Sequence, residues 1–276
     1  MSDPLDTNPN GDRIQGQTAK PPGPLGRLGR DLVLAAVFLT RLPLPKVSPA
    51  PLAGVLWAFP LVGFAVGLGA GAVYGAAVLA GLASLPAAIL GLCAALLLTG
   101  ALHEDGLADA ADGFGGGGTV ERKLAIMKDS RIGTYGMAAL ALALALKAAL
   151  LAQIAAPWTV AAALGASGAL SRAFIVLMLR VVPSARPDGS GGTAGRPDLL
   201  IASLSTVMGL VLWAGAIAVA PIPILHGVMA LVLAGLIALA LSHLSIRQIG
   251  GQTGDVLGAG QVLTEIAILA AVAAAH

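Results

Sequence analysis

The sequence predicts an all-α fold: a polytopic integral membrane helical bundle of about seven transmembrane helices plus a short interfacial helix. Hydrophobic residues make up 57% of the chain and charged residues only 11%, whereas soluble domains contain about 45–50% and about 25%. The chain also contains 37 glycines, and small residues allow membrane helices to pack closely. Long apolar runs, separated by polar segments, therefore predict helices that cross a bilayer.

Seven runs reach the length of about 20 apolar residues that a transmembrane helix needs. The first contains Pro60 and several glycines, which predict either one long tilted helix or a break near Pro60. A shorter apolar run, 32–40, ends at the Arg-Leu-Pro-Leu-Pro sequence of 41–45 and predicts an interfacial or re-entrant helix. Residues 1–31 are predicted to be a disordered cytoplasmic tail, and 32–276 a single membrane-embedded catalytic domain. The predicted spans are 53–82, 85–102, 135–156, 158–180, 199–220, 222–243 and 257–275.

Charged residues beyond the N-terminal region are concentrated in three segments, 103–134, 181–198 and 244–256. The connections near 84–86, 156–158 and 221–223 carry none. Because loops rich in Lys and Arg stay in the cytoplasm, the three charged segments are predicted to share the cytoplasmic side. The formal net charge of +2 gives no indication of nucleic-acid binding, and the single cysteine excludes an internal disulfide.

The first charged segment contains Asp105, Asp109 and Asp112 at spacings i, i+4 and i+7, which lie on one face of a helix. Carboxylates on one face repel one another, so this stripe predicts a divalent cation, Mg²⁺ above all. The alternative is a solvated helix end. His103 is predicted to lie opposite the stripe, with a capping or substrate-binding role, and Glu104 to be a charge at the rim.

The other polar segments add candidate substrate-binding residues. Lys128 and Arg131 flank Asp129 just before a span, where cations could bind phosphate or simply form a cytoplasmic collar. Thr253 and Asp255 follow a glycine turn before the last span, and this turn could bind phosphate or metal or be a hinge with an N-cap.

Three ionisable residues interrupt predicted spans: Lys147, Arg172 and Glu265. Charges in hydrocarbon are costly and are by default functional or paired. We weigh a structural Lys147–Glu265 ion pair against a functional role. Arg172, near the cytoplasmic end of its helix, is a candidate substrate ligand, with pairing to an Asp as the alternative.

Carboxylates for a divalent ion, cations for phosphate and glycine turns together indicate phosphoryl transfer at a membrane surface. The Asp spacing is similar to that of CDP-alcohol phosphotransferases, but an expected Arg and the second half of their pattern are absent. A secondary transporter is a third class, which would place carboxylates near the bilayer midplane in repeated halves. The sequence shows no such repeat.

Three motifs resemble the cobalamin synthase (adenosylcobinamide-GDP ribazoletransferase) family. They are the GALHEDGLADAADGFG sequence of 100–115, the RKLAIMKDSRIGTYG sequence of 122–136, and the GGQTGDVLGA sequence of 250–259 with Glu265. The Arg-Leu-Pro-Leu-Pro sequence of 41–45, which precedes the first predicted span, is also similar to that family, and the resemblance covers roughly 30–276. It implies a multi-pass enzyme of the bacterial cytoplasmic (inner) membrane that acts late in vitamin B12 assembly.

The resemblance implies adenosylcobinamide-GDP and α-ribazole, or its 5′-phosphate, as substrates, GMP as a product and Mg²⁺ as cofactor. Asp105, Asp109 and Asp112 would hold the metal, Lys128, Asp129 and Arg131 would surround the pyrophosphate, and the Asp255 turn would close the site. Asp129 or Asp105 would take the proton of the attacking hydroxyl. The lipid bilayer is the expected surrounding, and a homo-oligomer is left open.

Overall fold

The computed structural model describes residues 23–186, 194–220 and 222–276. Within these residues the fold is helical and contains no strand; its single isolated β-bridge joins Ser184 to Gln252. The described part of the chain contains eleven α-helices: α1 (Pro24–Leu39), α2 (Leu52–Val55), α3 (Phe59–Leu79), α4 (Ser84–Thr99), α5 (Leu102–Gly116), α6 (Val120–Ile126), α7 (Thr134–Ile154), α8 (Pro157–Val181), α9 (Leu199–Val219), α10 (Ile224–Ile249) and α11 (Gly254–Ala273).

Membrane-spanning helices dominate the fold, as predicted. Six described helices are long and apolar enough to cross a bilayer, or seven if α4 and α5 count as one broken span. The first of them, Leu52–Leu79, is one long span that joins α2 to α3 through a 3₁₀ turn at Leu56–Ala58, so of the two alternatives the structure has the long helix, with Pro60 in the first turn of α3. The interfacial helix begins at Pro24, eight residues earlier than predicted, which places 24–31 outside a disordered tail. The predicted tail 1–22 lies outside the described residues.

Helix α8 lies at the centre of the bundle, against α3, α9 and α11. Glycines bring α3 and α8 into backbone contact: a Cβ on Gly63 would lie 2.2 Å from the carbonyl oxygen of Gly168, and one on Gly67 would lie 2.1 Å from that of Leu164. A Cβ on Gly71 would lie 2.4 Å from Cα of Ala161. The three glycines are four residues apart, so they form the small-residue stripe by which membrane helices approach closely.

Helices α7, α9 and α10 form the outside of the bundle. In the most apolar stretch of each of these helices only 28% of the residues are buried, whereas the share is 83% in α8 and 78% in α11. Their exposed side chains are large and apolar, for example Leu142, Val211 and Leu239. Such surfaces fit contact with lipid acyl chains rather than with water.

A sharp break separates α4 from α5. Gly100 and Ala101 both adopt left-handed backbone conformations, with φ of 65° and 57°, and the two helix axes differ by 90°. Arg41 supports the break: its amide donates to the carbonyl of Leu98 at 2.8 Å, and its side chain fills the space that a Cβ on Gly100 would need. The acidic stripe on α5 is therefore not the straight continuation of the second span that the sequence suggested.

Candidate active site

Helix α5 packs against the start of α11 through two glycines. A Cβ on Gly106 would lie 3.0 Å from the carbonyl oxygen of Asp255, and one on Gly258 would lie 3.1 Å from that of His103. Because no side chain separates the two backbones, the carboxylate of Asp255 acts electrostatically on Asp109, as do those of Asp105 and Asp112. The structure thus brings the predicted stripe and the predicted glycine turn together.

Asp112 has a structural role. One of its carboxylate oxygens accepts the amide hydrogen of Gly133 at 2.7 Å, and the other accepts that of Gly136 at 2.8 Å. These amides belong to the start of α7, where free N–H groups attract negative charge. The side chain is buried. Both oxygens of Asp112 thus hold the 127–133 loop and α7 against α5. Each oxygen keeps a second lone pair, so its use as a metal ligand stays a prediction.

Glycines after the acidic stripe make room for side chains from the next two helices. A Cβ on Gly113 would lie 2.6 Å from Cε of Met127, and one on Gly115 would lie 2.6 Å from the ring of Tyr135. The glycines after Asp112 therefore leave the space in which the residues on either side of the 128–131 loop pack against α5.

Asp129 and Arg131 form an ion pair at the surface. The carboxylate of Asp129 accepts hydrogen bonds from Nε of Arg131 at 3.0 Å and from Nη2 at 2.7 Å, and also from the Arg131 backbone amide. These hydrogen bonds from Arg131 lower the pKa of Asp129 to about 2. Asp129 therefore remains ionised and is a weak base. Lys128 is exposed beside it, so the three predicted residues lie together at the edge of the site.

Thr253 and Asp255 begin α11 in different roles. The hydroxyl of Thr253 accepts the amide hydrogen of Val256 at 3.3 Å and thus caps the helix; it also donates to Asp255 at 3.2 Å. The predicted cap at this turn is therefore Thr253 rather than an Asp. Thr253 is buried, whereas Asp255 remains partly exposed; the predicted substrate contact of Thr253 stays a prediction.

Arg186 is a residue of the site that the sequence reasoning missed. Its Nη1 lies 3.9 Å from Oδ2 of Asp255, and its Nη2 donates to the carbonyl of Leu124. The neighbouring backbone is fixed, because the amides of Ala185 and Gln252 bond to Gln252 and Pro183, both at 2.8 Å. The sequence shows several basic residues in the charged segment 181–198. Only the backbone hydrogen bonds between this segment and Gln252 show that Arg186 is the one that faces Asp255.

A group of charged side chains is buried below the first turn of α5. Nζ of Lys147 lies 3.3 Å from Glu265 and 3.8 Å from Glu104, and Gln261 donates to Glu265 at 2.6 Å. The Lys147–Glu265 ion pair that the sequence suggested is confirmed. The prediction that Glu104 is a rim charge is wrong, because its side chain turns inward toward Lys147 and is 11% exposed.

Arg172 also belongs to this buried group. Its Nη1 donates to the carbonyl of Gly168 at 3.1 Å, and its charge acts with Lys147 on Glu265. It lines a small internal cavity of about 20 Å³ with Glu104, Lys147 and Glu265. Its charged neighbours are the glutamates Glu265 and Glu104 rather than an Asp, and its role as a substrate ligand stays a prediction.

Two cavities flank Asp105, which lines both. One, of about 130 Å³, lies between α1, α3, α8 and the start of α11 and includes His103 and Asp255. The other, of about 200 Å³, lies between α4, α5 and α7 and includes Asp109 and Ser130. His103 thus borders the same cavity as Asp105, although helical spacing placed it on the opposite face. Asp105 therefore lies between two separate cavities.

The carboxylates fit a magnesium ion that is completed by substrate oxygens. In 23–186, 194–220 and 222–276, no three His, Cys, Asp or Glu side chains are close enough to form a metal site alone. Magnesium, however, is commonly held by one or two carboxylates together with substrate phosphates and water. Asp109 has three neighbouring carboxylates and one nearby cation, Arg186, so the local charge is negative and suits such an ion.

Comparisons with known proteins identify the family to which this chain is similar. The family described as Cobalamin-5-phosphate synthase matches residues 31–273. The chain belongs to this family. It is 47% identical over 247 residues to an adenosylcobinamide-GDP ribazoletransferase of Bradyrhizobium diazoefficiens, covering 88% of this chain and 93% of that protein. A protein of the same name from Azorhizobium caulinodans is 45% identical, with 88% and 95% covered.

Family membership decides among the three classes considered from the sequence, because the match spans the whole helical bundle and all three motifs. No solved structure matches this chain.

Proposed function

We propose that this protein is an adenosylcobinamide-GDP ribazoletransferase, which transfers the adenosylcobinamide phosphate group to α-ribazole or its 5′-phosphate and releases GMP. The observation that carries the proposal is the convergence of the three family motifs on Asp105, with a cavity on each side. The curated relatives carry this activity in their names. The product is adenosylcobalamin or its 5′-phosphate.

In the proposed reaction, the 3′-hydroxyl oxygen of the ribazole attacks the phosphorus that bears the cobinamide. A phosphorus–oxygen bond to the ribazole forms, the phosphorus–oxygen bond to GMP breaks, and the hydroxyl proton passes to a carboxylate. Asp105 is the better placed acceptor, because it borders both cavities. Asp129 is partly exposed, and its lowered pKa makes it a poor base.

Asp109 and Asp255 would hold Mg²⁺, which supplies charge stabilisation for the diphosphate when bound. Arg186 lies beside Asp255 and could contact phosphate oxygens from the same side. Lys128 and Arg131 are exposed on the loop whose Ser130 and Ile132 line the 200 Å³ cavity. Their positive charges would attract the anionic diphosphate of adenosylcobinamide-GDP. In the proposed site the carboxylates would bind the magnesium ion, and the basic side chains would bind the phosphate groups.

We also propose that the site faces the cytoplasm of a bacterial inner membrane. The charged loops that form it lie on the Lys- and Arg-rich side of the bundle, and such loops remain cytoplasmic. GDP-activated substrates are cytoplasmic metabolites, so this orientation gives the site access to its donor.

The proposal is tested by the reaction of the purified protein in detergent with Mg²⁺. GMP should appear from adenosylcobinamide-GDP only when α-ribazole or its phosphate is present, and EDTA should stop its release. Asp109→Asn should abolish turnover, because it removes a carboxylate from the predicted ion, while the protein still accumulates in the membrane. Glu121→Gln is the matched control, because Glu121 is an exposed acid on α6. Full activity of Asp109→Asn at saturating Mg²⁺ would exclude the metal assignment.

A further inference from the structure

The 130 Å³ cavity beside Asp105 has apolar walls and a polar end. Phe38, Phe59 and Ile175 line the walls, whereas His103, Asp105 and Asp255 form the polar end. The rings of Phe38 and Phe59 are stacked, with centroids 5.7 Å apart and planes 24° from parallel. A flat apolar ring that carries a hydroxylated group at one edge is complementary to this shape.

His103 is the buried polar residue of this cavity. The residue is 4% exposed, and it lies between this cavity and the smaller one that Arg172 and Lys147 line. An imidazole always carries at least one N–H. His103 can therefore offer an N–H group to a ligand acceptor in the 130 Å³ cavity.

We propose that this cavity binds the benzimidazole ring of the ribazole, with the free ring nitrogen accepting a hydrogen bond from His103 and the ribose directed toward Asp105. The inference rests on the proposed function and assigns one of its two substrates to one cavity. A corrin macrocycle is far larger than 130 Å³. Guanine carries donors and acceptors along most of its edge, which these apolar walls cannot satisfy. The bicyclic base is the substrate fragment that fits.

Substrate analogues test the hydrogen bond. An indole riboside has the shape of the ribazole but carries carbon in place of the acceptor nitrogen. The wild-type protein should use it with a kcat/KM at least about tenfold lower than that of α-ribazole, because the His103 donor is then left unsatisfied. His103→Phe should lower kcat/KM for α-ribazole and remove most of the discrimination, whereas His103→Asn should restore part of it.

Cavity-filling variants test the location. Ile175→Phe should raise the KM for α-ribazole about tenfold or more and weaken its binding in equilibrium dialysis, without changing the KM for adenosylcobinamide-GDP. Ile89→Phe is the control, because Ile89 lies on the exposed apolar surface of α4 and should change neither KM. Elution as a single species in detergent verifies that each variant is folded.

Three outcomes would overturn the inference: unchanged α-ribazole binding in both Ile175→Phe and His103→Phe, a raised KM for the corrinoid substrate alone, or no binding of α-ribazole by the wild type. Binding of α-ribazole that is weakened by Ile175→Phe, in a wild-type protein that releases no GMP, would instead support the cavity assignment and reject the proposed reaction.

Discussion

Asp129 and Arg131 show how a surface ion pair restricts the candidates for the general base. Hydrogen bonds from Arg131 lower the pKa of Asp129 to about 2, below the ordinary value of a carboxyl group. The charged pair is therefore complete above the ordinary pKa and is lost only as the pH falls through about 2. No ionisation of Asp129 occurs between pH 5 and 9.

The pH dependence of turnover follows from this assignment. Asp129→Asn should lower activity by a similar factor at every pH between 5 and 9 and leave the acid limb of the kcat/KM profile in place. The reason is that Asp129 is already fully ionised throughout this range. Profiles of the wild type and the variant, measured on the same preparation, check the prediction; disappearance of the acid limb in Asp129→Asn would identify Asp129 as the titrating base.

Glu104 is the residue whose role changes most between sequence and structure. Helical spacing alone placed it away from the acidic stripe, but spacing cannot tell which direction faces solvent. Lys147 and Glu265 come from α7 and α11, which are distant in sequence, and only their assembly shows that Glu104 faces a buried ammonium. The acidic stripe itself was predictable, because its pattern is local to one helix.

Glu104→Gln should therefore destabilise the protein, by about 3 kcal/mol, the cost typical of breaking one side of a buried ion pair. The substitution leaves Lys147 and Arg172 opposite the single charge of Glu265. A lower Tm of the detergent-purified variant checks this, and Glu121→Gln, on the exposed face of α6, should melt with the wild type. Equal melting of Glu104→Gln and Glu121→Gln would contradict the buried pairing.

The α3–α8 contact depends on which glycines face the neighbouring helix. Gly67→Ala should lower stability by about 1–3 kcal/mol, because its Cβ would lie 2.1 Å from the carbonyl oxygen of Leu164. Gly69→Ala, two residues away on the same helix, has no atom nearer than 3.5 Å and should be neutral. Thermal unfolding in detergent distinguishes the two, and equal effects would show that α3 and α8 pack less closely.

The break between α4 and α5 marks the limit of element-scale prediction. Alanine strongly favours the right-handed helix, so the left-handed Ala101 could not be read from its own residue type. Gly100 was a visible signal for a helix end, and the Arg-Leu-Pro-Leu-Pro sequence was a recognisable motif. Their mutual contact through Arg41 is tertiary, and it turns the acidic helix by 90° against its predecessor.

The orientation of the whole molecule is open to a labelling test. In a Cys93-free background, a cysteine at Ala156, an exposed residue between α7 and α8, should react with an impermeant thiol reagent added outside intact cells. A cysteine at Gly118, exposed after α5 with open space around it, should react only after the membrane is permeabilised. The opposite pattern would place the site outside the cytoplasm.

The buried contact between Lys147 and Glu265 has a consequence for biosynthesis. Lys147 lies on α7, whereas Glu265 lies on α11, the last helix of the chain. Until α11 has been synthesised, Lys147 lacks its nearest counter-charge and keeps only the more distant Glu104, at 3.8 Å, and excess charge inside a bilayer is unfavourable. Completion of the bundle therefore depends on α11, so that a chain truncated before α11 would hold Lys147 and Arg172 beside the single charge of Glu104 and be a substrate for membrane quality-control proteases.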